Sequence, residues 1–118
     1  VVYHAQYVAF LERARSEWMR ARGQMQEQLR LDHDLVFVVR AMQLDFLKPA
    51  RLDDLLKVTV SVRLVKRASV VFAQSIWRED QLLLKAEVKV AAVSATAFRP
   101  VGLGEALYQE FKTFEVAG

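Results

Sequence analysis

The sequence predicts an α+β domain in which an antiparallel β-sheet wraps around one long central α-helix. Three observations carry that expectation. The opening segment, from Tyr3 or His4 to Arg22, repeats apolar residues at spacings of three and four. From Leu35 onward the pattern changes to alternation with period two, broken by short turn-like stretches. A chain of 118 residues holds one core, so the stripe of the helix and the apolar face of the sheet must cover each other.

In the opening helix, Tyr7, Phe10, Leu11, Ala14, Trp18 and Ala21 form the stripe. Glu12, Arg13, Arg15, Ser16, Arg20 and Arg22 lie largely off it, and Arg13 and Glu17 stand four apart, in reach of an ion pair. Gly23 is placed to end the helix in a left-handed conformation. Residues Gln24 to Asp34 read as a polar connection with room for a helical turn. Leu35 to Leu47 is the first strand, with Val36, Val38, Met42, Leu44 and Phe46 on one face interrupted only by Arg40, and Pro49 stops its ladder. Leu55 to Val65 sets Leu56, Val58, Val60, Val62 and Leu64 against Lys57, Thr59, Ser61 and Arg63.

Lys66-Arg67-Ala68 makes a hairpin connection into Ser69 to Arg78, where Val70, Phe72 and Ile76 share a face. Glu79-Asp80-Gln81 turns the chain into Leu82 to Phe98, with Leu82, Leu84, Ala86, Val88, Val90 and Ala92 inward, and Arg99-Pro100 ends it. A short helix over Gly104 to Thr113 places Leu107 and Phe111 four apart. One helix followed by a meander of four strands, each apolar on one side, is the hotdog architecture; another α+β sandwich with the same element order is the alternative.

Composition narrows the chemistry. Apolar residues make up 53% of the chain, enough for a packed core. A domain of this size hides only about two-thirds of its chain's surface, so association with further copies would add stability. With no cysteine, there is no disulfide framework, thiolate nucleophile or cysteine-held metal. Two histidines far apart, His4 and His33, do not suggest a metal centre. A net charge of +3 suits an anionic ligand and is too small and dispersed to indicate nucleic acid. No stretch reaches the roughly 18 apolar residues of a membrane helix. The sequence begins at Val1 rather than Met, so the lack of a visible signal peptide carries little weight.

Asp32 with Asp34, Asp53 with Asp54 and Glu79 with Asp80 all fall in connections, where solvated turn carboxylates are the ordinary reading. Asp45, in a strand beside Phe46, is placed to line a pocket. His4 stands at the first turn of the long helix between Tyr3 and Tyr7. The first N–H groups of a helix lack internal partners and carry partial positive charge, so they can stabilise an oxyanion; the ordinary alternative is a histidine packing at a helix end. Lys66, Arg67 and Ser69, with Arg63 and Arg78 nearby, form a patch that would serve a diphosphate or 3′-phosphate, or would equally guard a hairpin against edge pairing. Phe10, Trp18 and Phe37 read as core. No serine stands in a Gly-x-Ser-x-Gly elbow and no phosphate loop is present.

The run Val1-Val2-Tyr3-His4-Ala5-Gln6-Tyr7, continued by Phe10-Leu11-Glu12-Arg13-Ala14-Arg15-Ser16-Glu17-Trp18, resembles the YbgC-type acyl-CoA thioesterases, in the 4-hydroxybenzoyl-CoA thioesterase branch of hotdog proteins. Phe37-Val38-Val39-Arg40, Pro49-Ala50-Arg51-Leu52-Asp53-Asp54-Leu55-Leu56 and Ala86-Glu87-Val88-Lys89-Val90 extend the likeness over nearly the whole chain. The resemblance implies hydrolysis of acyl-CoA to free CoA and a carboxylic acid, with no cofactor. It also implies a cytoplasmic homodimer or homotetramer with sites at subunit interfaces, in many bacteria encoded beside the Tol-Pal envelope system. Acyl carrier protein thioesters are a further substrate class.

By the same resemblance the His4 backbone N–H polarises the thioester carbonyl. The family's catalytic Asp precedes a Gly-Gly ahead of Val-Val-Tyr-His, so that carboxylate and the first strand are expected upstream of Val1. Tyr7, Val38 and Phe46, with Tyr3 beside His4, are the expected acyl contacts, and Lys66, Arg67 and Ser69 the expected phosphate contacts. The competing readings are a non-catalytic hotdog module that binds acyl-CoA or acyl carrier protein, and a hydroxyacyl-thioester dehydratase, whose helical His with a paired acid fits the motif around His4 less well.

Overall fold

The apolar stripe of the opening segment folds as helix α1, His4–Ala21, and Gly23 follows it with φ +78°. A computed structural model describes residues 4–116; Tyr3 lies outside them. The remaining elements are α2 (Gln26–His33), β1 (Leu35–Phe46), β2 (Lys57–Lys66), β3 (Ser69–Arg78), β4 (Gln81–Ser94) and α3 (Glu105–Phe114). Where a connection with a helical turn was expected, α2 forms eight residues. Leu29 anchors it in the core, and Glu27 with Arg30 and Gln28 with Asp32 bond along its surface. The expected Arg13–Glu17 pair does not form; Glu17 pairs with Arg20 instead.

The sheet is antiparallel throughout, in the order β1-β4-β3-β2. The strands therefore do not form a simple meander. β2-β3 and β3-β4 are hairpins, but β1 pairs with β4, and the connection 47–56 carries the chain from one sheet edge to the other. Its start is tied down by the Leu47 and Lys48 N–H groups, which both donate to the Leu83 carbonyl. Helix α1 lies across the inner face, so the hotdog arrangement of one long helix against an antiparallel sheet is realised.

Two β-bulges change which residues face inward. The β1–β4 register shifts between Val39 and Ala41, with Arg40 as the extra residue. The β2–β3 register shifts between Val62 and Leu64, with Arg63 as the extra residue. A bulge reverses the parity of the strand beyond it. Met42, Leu44 and Phe46 therefore pair with inward Val88, Ala86 and Leu84, whereas Val38 pairs with Ala91 on the outer face, beside Ser69. Likewise Val62 is fully buried inside, Leu64 turns outward and Val65 takes its inward place. A third shift beside Trp77 buries Leu83 completely.

The buried side chains make one cluster. At the β1 start it is aromatic: Phe37 meets Phe111, Phe111 meets Phe114, and Trp18 contacts both Phe72 and Phe114 edge-on. Each fully buried ring or branched chain contributes about 1.5–3 kcal/mol. The stripe of α1 is turned slightly from the expected one. Tyr7, Leu11 and Met19 are buried, and so is Arg15. Its Nη1 donates to Gln74 Oε1 at 2.9 Å, while Gln74 Nε2 donates to the Leu11 carbonyl at 3.0 Å. Burial lowers the Arg15 pKa, which Glu12 partly opposes; the Gln74 amide satisfies helix and cation together.

Candidate functional site

Helix α1 begins at His4 above the end of β1. The parity change at Arg40 points Phe46 inward, and its ring stacks on His4 with centroids 4.4 Å apart and planes 23° from parallel. Tyr7, one turn on, meets Phe46 edge-on at 5.6 Å. Tyr7 is 3% exposed, and its hydroxyl accepts a 3.0 Å hydrogen bond from the Ala50 N–H. Pro49 cannot continue the ladder, so the chain turns beneath the helix start, and Ala50, 1% exposed, is sealed there. The result is an aromatic floor under a helix N-terminus that stays open to solvent: His4 is exposed and Phe46 is 45% exposed.

Among the described residues no acidic side chain lies in the first turn of α1, where the helix N-terminus carries partial positive charge. This arrangement can receive a flat or apolar group on the rings and a developing negative charge at the helix end. Among the described residues no carboxylate is hydrogen-bonded or ion-paired to His4. Asp45 stands opposite Lys85 in the strand register and alternates to the face away from Phe46. Glu12 lies two turns along α1, and Asp53 is exposed in the 47–56 connection. Among the described residues no cluster of three or more His, Asp or Glu could hold a metal.

The structure brings His4, Tyr7 and Phe46 together and leaves Val38, Lys66, Arg67 and Ser69 elsewhere in this chain. Phe46 pairs with Leu84, while Ser69 and Val38 pair with Ala91. Seven residues of extended strand put these positions about 24 Å apart. Within one subunit, Val38, Lys66, Arg67 and Ser69 therefore lie at the far end of the sheet from His4. Arg67 is also engaged: Nη1 pairs with Glu105 at 2.5 Å and the guanidinium lies 3.9 Å above the Tyr108 ring.

A cleft of about 420 Å³, lined by Lys48, Pro49, Arg51, Asp54 and Arg78, opens on the 47–56 connection, the segment that also seals Ala50 beneath Tyr7. Sequence reasoning missed it as a unit, because Arg78 is thirty residues from Lys48 and was grouped with Arg67. Spacing held one signal: Lys48 and Arg51 flank Pro49-Ala50, which concentrates charge in a short turn.

The thioesterase superfamily model matches residues 1–85. Acyl-CoA thioesterase YbgC of Haemophilus influenzae is 44% identical over 86% of this chain and 74% of its own length. Acyl-CoA thioester hydrolase YbgC of Escherichia coli O6:H1 is 42% identical over 95% of this chain and 84% of its own. Among solved structures, a probable thioesterase from Bartonella henselae superposes with a TM-score of 0.82 at 34% identity, covering 88% of this chain and 86% of that one. A Thermus thermophilus hypothetical protein superposes at 0.88 with 21% identity, covering 99% and 86%, a likeness of fold.

Proposed function

The chain belongs to the thioesterase superfamily, and from that premise we propose that it hydrolyses acyl-CoA thioesters to free CoA and a carboxylic acid. The observation that carries this reading is the start of α1, where a helix N-terminus with no acid in its described first turn stands over the Phe46 and Tyr7 rings. The thioester carbonyl points its oxygen at the His4 backbone N–H, and the acyl group lies against the rings. A carboxylate, expected upstream of Val1, takes a proton from a water that adds to the carbonyl carbon, or attacks that carbon itself to give an anhydride that water then hydrolyses. The carbonyl carbon gains an oxygen, the C–S bond breaks and CoA leaves as thiolate, a good leaving group that needs little acid assistance. Oxyanion donors of this kind are worth about 10²–10³ in rate.

The proposed working form is a cytoplasmic homodimer or homotetramer, and the proposed setting is beside the Tol-Pal system. Two features support association. β1 is an edge strand, and Val39, Phe46 and Leu47 at its edge and end are about half exposed. The radius of gyration of 15.0 Å exceeds the about 13.5 Å of a compact domain of this length, as fits a sheet whose faces are only partly covered. In such an assembly a neighbouring subunit could bring Val38, Lys66, Arg67 and Ser69 toward this His4. Acyl carrier protein thioesters are the second proposed substrate class.

The test is hydrolysis of a panel of acyl-CoAs by the intact protein, with an Asp-to-Asn change at the upstream position. CoA release that depends on that Asp is expected. No release from any member, by folded and oligomeric protein, overturns the reading in favour of a binding module.

A further inference from the structure

We infer that the cleft lined by Lys48, Arg51, Asp54 and Arg78 is an anion site that holds the phosphate groups of CoA, an inference that rests on the acyl-CoA reading above. The cleft is built rather than incidental. Arg78 is held by three acceptors: Nη1 donates to Asp54 Oδ2 at 2.7 Å and to the Pro49 carbonyl at 3.5 Å, and Nη2 donates to Gln81 Oε1 at 2.5 Å. A guanidinium has five N–H donors, so two remain for a ligand on a fork already fixed in place. The connection beside it is equally fixed. The Arg51 N–H donates to Asp54 Oδ2 at 2.8 Å, and the Asp54 N–H donates back to the Arg51 carbonyl at 3.1 Å.

Charge gives the site its sign. Three cations and one carboxylate line the cleft. Asp54 is already engaged with the Arg51 N–H and with Arg78, and these bonds, the first above all, hold its pKa below the ordinary value. Lys48 and Arg51 are exposed and, among the described residues, make no ion pair. A net of two positive charges beside a rigid arginine fork matches a diphosphate or a 3′-phosphate. The volume, about 420 Å³, is in the range of small-molecule sites.

Position distinguishes this cleft from the Lys66–Ser69 hairpin. Lys48 is two residues beyond Phe46, at most about 7 Å of chain, and Phe46 stacks on His4. A thioester at the helix start and phosphates in the cleft can therefore be joined by one pantetheine arm within a single subunit. The hairpin lies at the other end of the sheet, and its Arg67 already pairs with Glu105.

The experiment compares the intact protein with its Lys48→Ala/Arg51→Ala variant, both substitutions being on exposed side chains. Binding of free CoA and of pantetheine is read by calorimetry. KM is read for an acyl-CoA and for the matching acyl-pantetheine, which lacks the nucleotide. The dissociation constant of CoA and the KM of acyl-CoA are expected to rise about tenfold or more, with both pantetheine values unchanged. Equal changes for CoA and pantetheine, or a CoA-specific loss found only in Lys66→Ala/Arg67→Ala, overturn the inference. CoA binding is independent of turnover. If the wild type hydrolyses nothing yet the double variant weakens CoA binding, the cleft stands and the hydrolytic reading falls; hydrolysis by the wild type with CoA affinity unaltered by the substitutions overturns the cleft alone.

Discussion

The two ends of the sheet differ in what their polar and aromatic groups do. At the Lys66–Ser69 end Asp34, Glu115 and Arg67 are all engaged within the chain. Asp34 accepts from the Ser94 hydroxyl and from both the N–H and the hydroxyl of Thr96. Glu115 accepts from the Val65 N–H and pairs with Lys112. Arg67 is held by Glu105 and Tyr108, and the Phe37, Phe111, Phe114, Trp18 and Phe72 rings close on one another. At the other end, among the described residues, the first turn of α1 holds no acidic side chain, Phe46 is half exposed, and Lys48 and Arg51 make no ion pair. One end secures the fold, and the other keeps bonding capacity for a ligand. A patch of charge in sequence does not separate the two roles; whether its charges are already matched does.

The largest effect that would break this contrast is expected from Phe111→Ala. Phe111 is fully buried and touches Phe37 and Phe114, so the change should destabilise by about 3–5 kcal/mol in denaturant unfolding. Activity per folded molecule should stay near wild type. A specific loss of turnover in folded protein would show that the aromatic end reaches the site.

Tyr7→Phe should cost less, about 1–3 kcal/mol, because the buried Ala50 N–H loses its acceptor. It should also lower turnover, since the connection that seats the floor beneath His4 loosens. Unchanged turnover at reduced stability would assign Tyr7 to the fold alone.

The smallest effect is the acid response of Asp34. Its bonds from the Ser94 and Thr96 hydroxyls, joined by the Thr96 N–H, hold its pKa below the ordinary 3.8. A carboxylate lowered on folding contributes stability above its unfolded pKa and loses that contribution as pH falls through the folded value. Asp34→Asn should therefore lower the melting temperature near neutrality and flatten the decline below about pH 4. An unchanged pH profile would remove Asp34 from the lock between β1 and β4.

The sequence by itself determined the type of nearly every element, because periodicity is a local property: spacings of three and four made α1, and alternation made β2, β3 and β4. It also placed His4 at the helix start, and the family likeness singled it out. What it could not carry were relations between distant residues. Arg40 and Arg63 are bulge positions only because partner strands shift register opposite them, so period two carried straight through put Val38 with Phe46. Arg15 reads as a surface cation until Gln74, from β3, meets it beneath the helix. The strand order follows from β1 finding its partner in β4, with Phe46 opposite Leu84 and Leu35 opposite Ser94. The basic cleft exists only once the 47–56 connection folds back beside the end of β3. Local spacing chose the elements; tertiary structure chose their partners, because hydrogen bonds and charges are satisfied in space and not along the chain.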